Sequence, residues 1–313
     1  MIENLWICIN GIVPIFLLVG LGILLRKWGI ADDVFGQKAT TVVFRLVLPV
    51  MIFQDIAAAE FETNFDGRAV GLVAISIVVW FLLSWFLSCI STKDNKKRAA
   101  VAQGAFRANY AILGLPLTKV IFGQAGLANG PVILAMSMVL LNIFSVITLE
   151  TFLGKKKGIR GTLSGIAKNP IILAAVLGTA FNLSGISIPT VLDKTITYVS
   201  DMCVPLSLIT VGISMKYKGF KEILPLSVGA SLLKTFFLPL VFLPVAYLLG
   251  IRGDTLGALF VFWASPSAVA GYAMTRDMGG DYDLYGNIII FSTLFSFFVI
   301  FFGTFILKNL GIV

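Results

Sequence analysis

"FRANYAILGLPLTKVIFG", residues 106–123, sits inside one of the most apolar sequences a chain can carry. Within about four helical turns it nevertheless holds Arg107, Asn109, a Gly114-x-Pro116 break and Lys119. Polar groups and a helix breaker in a hydrophobic run need a reason. The reason depends on what surrounds them.

The 313 residues are 58% apolar and only 13% charged, where soluble domains average nearer half and about a quarter. The apolar residues come in blocks of about 18–25, the length a helix needs to cross roughly 30 Å of hydrocarbon. Strands of a membrane barrel would alternate over about ten residues, and these blocks do not. The expected fold class is an all-α polytopic membrane protein. Cys8, Cys89 and Cys203 are scattered without CxxC spacing, so neither a disulfide framework nor a zinc site is indicated. There is no histidine, which removes imidazole metal sites and a Ser–His nucleophile pair together. No cofactor or metal is expected.

Ten spans can be read, at about 7–25, 37–58, 68–90, 99–122, 126–148, 169–186, 196–215, 224–249, 255–276 and 284–307. Connections after odd-numbered spans carry sixteen Lys and Arg residues, including the runs Lys96–Arg98 and Lys155–Lys157, against five on the other side. Positive residues stay in the cytoplasm, so both termini are expected outside a plasma (inner) membrane. The basic runs of this +8 chain are thus topology signals rather than a nucleic-acid surface. Glu3 and the lack of a basic n-region mark the first span as a retained helix rather than a signal peptide. Lipid-facing and partner-facing apolar surfaces look alike, so homodimerisation is left open.

The chain repeats itself. "PIFLLVGLGILLRKWGI" (14–30) and "PIILAAVLGTAFNLSGI" (170–186) share Pro14/Pro170, Leu17/Leu173, Gly22/Gly178, Gly29/Gly185 and Ile30/Ile186 at one offset of 156. Without a gap the same offset pairs Pro49 with Pro205, Phe106 with Phe262 and Ala108 with Ala264. Two five-span halves follow, 1–153 and 169–313, joined by a basic cytoplasmic linker, 154–168. An odd number of spans inverts the second copy. Inverted repeats with interrupted helices are the architecture of many secondary transporters, with the substrate near the midplane.

The offset sets "RANYAILGLP" in the fourth span against "WASPSAVAGY" in the ninth. Pro266 lacks an amide hydrogen and breaks its helix, and Gly271 follows in the same segment. Free backbone groups in lipid are tolerated only inside protein or beside a watery cavity. Two broken helices meeting at mid-membrane would turn half-helix N-termini toward one point, a site for an anion. Asn109, Tyr110, Ser265 and Ser267 are the neutral candidates for binding there.

At these residues the sequence resembles the auxin efflux carrier family, which includes the plant PIN-FORMED carriers and many bacterial permeases. The pattern N-x4-G-x-P-L-x-K-x3-G is met by Asn109, Gly114, Pro116, Leu117, Lys119 and Gly123. "ASPSAVAGYAMTRD" (264–277), "NPIILAAVLG" and "VPLSLITVGISM" resemble its ninth, sixth and seventh spans. The resemblance implies ten helices in two inverted five-helix repeats, similar to bile acid–sodium symporters, with broken, crossing helices 4 and 9 and an elevator-like motion. It also makes Asn109 the leading substrate ligand. Plant members have proline where this chain has Ala108, so Gly114–Pro116 is the alternative place for the first break. The long central loop of many plant members is missing, and bacterial members are linked to dicarboxylates such as malate or malonate.

Arg45, Arg107, Asp201 and Lys234 fall within spans and Asp55 near an end; each is costly there unless paired or hydrated. Lys234 could neutralise a substrate carboxylate or pair with an acid such as Asp201. Arg107 is the alternative cation, or it snorkels to the cytoplasmic side. Asp277 beside Arg276 is expected to be a local ion pair or a helix-end feature. A buried carboxylate could carry a coupling proton, but no cluster of acids is evident.

Rival classes are weaker. An enzyme lacks its chemistry: "GGDYD" (279–283) has no second aspartate placed with it, and Asp32–Asp33 lacks DDxxD spacing. An anion channel or membrane receptor with the same fold is the alternative to a carrier of a small organic anion, a mono- or dicarboxylate or an auxin-like acid.

Overall fold

The computed structural model describes residues 14, 17–58, 66–114, 117–118, 121–123, 126, 129–154, 170–186, 188–214 and 220–313. Among them the regular structure is helical, and six helices are long and apolar enough to cross a bilayer: Asp33–Gln54, Gly67–Ser91, Val132–Leu153, Thr190–Ile213, Glu222–Leu248 and Tyr282–Asn309. Their outer faces are apolar. On Gly67–Ser91, Leu82, Phe86 and Ile90 are exposed, whereas Ser76, Ser84 and Ser88 are buried. That inside-out pattern suits lipid, since a soluble monomer rarely exposes so much contiguous apolar surface. The chain is a multi-pass membrane protein.

In chain order, α1 is 17–27. Helix α2 joins Asp33–Val42, the π turn Val43–Val47 and Leu48–Ala57, and α3 is Gly67–Ser91. Next come α4, Asn95–Phe106, and α5, which opens as the π turn Tyr110–Gly114. They are followed by α6, Gly130–Leu153, and α7, Pro170–Ser184. Helix α8 joins Thr190–Asp201 to Cys203–Ser214. Helix α9 joins Phe220–Leu232, the π turn Leu233–Phe237 and Leu238–Leu248. The last three are α10, Gly253–Ala264; α11, Ala270–Asp277; and α12, Tyr282–Asn309.

Local chemistry accounts for several ends and bends. Asp32, Asp66, Asp94 and Asp281 each accept a hydrogen bond from a first-turn amide of α2, α3, α4 and α12, the usual use of an N-cap carboxylate. Pro49, Pro205 and Pro239 lack the amide hydrogen that would bond one turn back. Each is preceded by a defect: the π turns at Val43–Val47 and Leu233–Phe237, and the turn at Met202.

Packing sorts the helices into two sets. Helices α2, α7 and α8 contact one another, and α1 lies against α8. Helices α3 to α6 and α9 to α12 form a larger body that meets this set through α6 and α11 and through a buried cluster that joins Val19, Leu208 and Val211 to Ala100, Leu284 and Ile288. In the larger body Trp80, Phe81, Phe106, Tyr110, Phe262 and Trp263 share one core cluster, which surrounds the interrupted segments.

Contacts in the smaller set recur at the offset seen in the sequence. Gly22 of α1 lies so close to α8 that a Cβ there would collide with the Ile209 carbonyl oxygen and crowd Gly212, and Gly178 of α7 lies against Phe53 and Ile56 of α2. The Arg26 guanidinium donates to the Ile213 carbonyl at 2.7 Å, and the Asn182 amide donates to the Ala57 carbonyl at 3.0 Å. Gly29 and Gly185 end α1 and α7 with φ of 71° and 65°. Each partner in one set of contacts is the residue 156 positions from its counterpart in the other. The offset does not hold unbroken to the end, because Phe106 and Ala264, the last residues of α4 and α10, stand 158 apart.

Gly22→Ala is expected to force α1 and α8 apart and to lower stability by about 1–3 kcal/mol, read as a drop in Tm of the detergent-solubilised protein. An unchanged Tm would mean that the helices have slack.

Candidate functional site

Two helices stop in the middle of the larger body and restart. Helix α4 ends when Arg107 turns extended (φ −76°, ψ 118°), and α10 ends when Ser265 does the same (φ −57°, ψ 143°). The second break follows from Pro266, which disfavours helical geometry at the residue before it. The first has no proline beside it and falls at Arg107–Asn109, seven residues before Gly114. Gly114 is therefore not the break itself, and Pro116 lies outside the described residues. The two extended segments instead pair with each other, as an isolated antiparallel bridge of Ala108 with Ser267. The Asn109 amide donates to the Pro266 carbonyl at 2.8 Å, and the Ala268 amide donates to the Arg107 carbonyl at 3.2 Å. Two amides expected to be open to a ligand are thus used by the crossing.

Exposed carbonyls at the half-helix ends are also satisfied, as a water-free setting requires. On α4, the Trp80 indole donates to the Ala105 carbonyl at 3.1 Å and the Ser267 hydroxyl to that of Gly104. On α10, Lys234 Nζ donates to the Trp263 carbonyl at 2.7 Å and Ser296 to that of Ala264 at 2.7 Å. Ser265 bonds back to the Val261 carbonyl at 2.7 Å. Tyr285 of α12 donates to the Ala268 carbonyl at 3.0 Å, and Gly271 allows that approach, since a Cβ there would collide with the Tyr285 hydroxyl. Gly114 has the same use, leaving room for the Tyr110 ring and the Ser265 hydroxyl. Both glycines serve close packing at the crossing. Thr275 of α11 donates to Gln103 of α4 at 2.7 Å, a further buried tie between the half-helices.

Beside the crossing lies a narrow cleft of about 40 Å³, lined by Arg107, Ala108, Asn109 and Tyr110, by Ala268 and Ala270 at the start of α11, by Met51 of α2, and by one face of α6 from Leu134 to Asn142. That volume is far below the roughly 300–1,000 Å³ of pockets that enclose small organic ligands. Asn109 is 4% and Arg107 5% exposed. The Asn109 side-chain amide makes no hydrogen bond among the described residues. Tyr110 packs edge-on against Phe262, 4.9 Å between centroids.

Several expectations need correction. Ser265 and Ser267 do not line this cleft; their hydroxyls are committed to Val261 and Gly104. Lys234 meets neither the cleft nor Asp201. Its fully buried side chain caps the Trp263 carbonyl, while Asp201 is exposed at the interruption of α8. Asp277 pairs not with Arg276 but with Arg45, at 3.7 Å across to α2, and Arg276 lies over the Tyr282 ring at 4.7 Å. Arg107 does not snorkel; it is held inside by α6. The Asp55 side chain lies outside the described residues. Asn142 and Ser145 of α6 were missed from the sequence. Their signal was polar residues three apart, one helical face, in an otherwise apolar span.

Compared with known proteins, the chain matches the family described as Membrane transport protein over residues 7–165 and 159–303. It is 25% identical over 290 residues to an uncharacterized transporter of Methanothermobacter thermautotrophicus, covering 91% of this chain and 93% of that one. A second uncharacterized transporter, from Methanocaldococcus jannaschii, is 23% identical over 313 residues, 95% of this chain and 98% of that protein. The uncharacterized transporter YfdV of Escherichia coli is 24% identical over 275 residues, with coverage of 84% and 86%.

Lys234→Met keeps the side-chain volume and orphans the Trp263 carbonyl. It is expected to lower the Tm, a loss of about 1–3 kcal/mol, while the folded protein keeps its affinity for anions. Lost anion affinity at an unchanged Tm would instead make Lys234 a substrate ligand.

Proposed function

We infer that this chain, which belongs to the Membrane transport protein family of the auxin efflux carriers, is a secondary carrier of a small organic anion, a mono- or dicarboxylate, in the plasma (inner) membrane. The substrate site is the cleft at the helix crossing. The observation that carries this reading is an uncommitted Asn109 amide beside a buried Arg107 guanidinium, where α5 and α11 both begin. Neutral and charge-assisted donors at a dry site are what a carboxylate needs to leave water.

The architecture is ten membrane spans, the six long helices joined by α1, α7 and the two interrupted pairs. They form inverted halves at 1–153 and 169–313, linked through 154–168, with both termini outside. The matching contacts that Gly22 and Gly178 each make, with Ile209 and Gly212 and with Phe53 and Ile56, and those of Arg26 with Ile213 and Asn182 with Ala57, support this reading. They are hard to explain unless both halves descend from one unit. Access alternates by an elevator motion, the larger body with its crossing sliding against α1, α2, α7 and α8. An apolar cavity of about 390 Å³ between α2, α6 and α7, bordered by Ile56, Val139 and Leu183, supports a loosely packed sliding surface there. A cleft of about 40 Å³ is too small for an organic anion, so the cleft has to widen to load.

The test is flux into proteoliposomes. Asn109→Ala is expected to cut saturable carboxylate uptake by roughly tenfold to a hundredfold, the worth of one hydrogen bond to a charged group, at an unchanged Tm. Native kinetics in that variant would remove Asn109 from the site, and flux that rises without saturation would favour a channel.

A further inference from the structure

We propose that the substrate's carboxylate docks on the side edge of the Arg107 guanidinium, and that Asn142 and Ser145 are the residues that position it. The inference rests on the carrier reading above and assigns the charge recognition of that same site. A guanidinium presents five N–H donors in a planar fork. Nη1 donates to Ser145 Oγ at 2.6 Å and to the Leu141 carbonyl at 3.5 Å, and Nη2 donates to Asn142 Oδ1 at 2.6 Å. The Nε–H is buried with no acceptor among the described residues, and Nη2 has a second hydrogen. These two donors form the edge that matches the two oxygens of a carboxylate.

The holding residues are themselves oriented. Asn142 Nδ2 donates to the Met138 carbonyl at 2.7 Å, which leaves its Oδ1 for the arginine. The Ser145 hydroxyl donates to the Leu141 carbonyl at 2.6 Å, which leaves its lone pairs for Nη1. All the acceptors are neutral, and no carboxylate pairs with Arg107 among the described residues. A positive charge only 5% exposed at such a site calls for a counter-ion. Asn109, two residues along the chain on the same cleft, supplies a further amide. One cation balances one negative charge, so the site favours a single carboxylate over two. Because Nε is covered, the fork becomes available as the cleft widens.

The experiment uses the purified full chain and follows its Tm against straight-chain monocarboxylates, the matching dicarboxylates, and the amide of each. A ligand of the folded form raises the Tm. A monocarboxylate is expected to stabilise the wild type while its amide does not. Arg107→Gln is expected to weaken that acid's binding roughly tenfold or more and to erase the acid-over-amide preference. Asn142→Asp is the same size and sets a carboxylate against the guanidinium. It is expected to block the anion in the same way without lowering the ligand-free Tm, which separates lost binding from misfolding. If the wild type responds to an acid and both variants respond with native affinity, this inference fails and the carrier reading stands. If no acid moves the wild type, the anion reading falls and takes this inference with it.

Discussion

Two peptide hydrogen bonds, Asn109 to Pro266 and Ala268 to Arg107, hold the centre of this protein. In hydrocarbon a helix can be interrupted only if the freed backbone groups find partners within the protein. Here each interruption satisfies the other, so neither half-helix pair is stable in this form alone. The surrounding donors complete the arrangement: Trp80 and Ser267 on the end of α4, Lys234 and Ser296 on the end of α10. Polar residues that look expensive in an apolar chain are there because the crossing would cost more without them.

The crossing also explains where small residues stand. Gly114 leaves room for the Tyr110 ring and the Ser265 hydroxyl, and Gly271 for the Tyr285 ring. Side chains added there would collide with the Tyr110 ring and the Ser265 hydroxyl, and with the Tyr285 hydroxyl that caps Ala268. Away from the crossing, Gly22 with Gly212, and Gly178 with Phe53 and Ile56, draw helices together in the smaller set. That close backbone approach is how helices associate where lipid removes the usual hydrophobic drive. The body holding the crossing and the smaller set meet through α6 and α11, the helices that also border the cleft, and through the buried cluster around Val19, Val211 and Ile288.

Much of this was legible in the chain. Apolar blocks of spanning length report helices in lipid because composition and period are local properties. Pro266 reports a break because the missing amide is its own. The offset of 156 was readable because prolines and glycines carry the same backbone constraint wherever they recur, and Gly22 and Gly178 then meet neighbours separated by the same offset. Polar residues in apolar spans were readable as groups that need partners.

Which partner each would find was not readable, because it depends on residues far apart in sequence meeting at one depth. The break at Arg107 has no local cause; its helix ends there because the extended segment between α10 and α11 supplies its bonds. Ser265 and Ser267 are spent on the carbonyls of Val261 and Gly104, Lys234 on that of Trp263, and Asp277 on Arg45. Asn142 and Ser145 matter only because α6 lays that face against Arg107. The chain by itself determined a helical membrane protein with an interruption at Pro266, since burial and proline geometry act residue by residue. Only the tertiary structure decided which polar groups are structural and which face the cleft, since a hydrogen bond is settled by the geometry of both its ends.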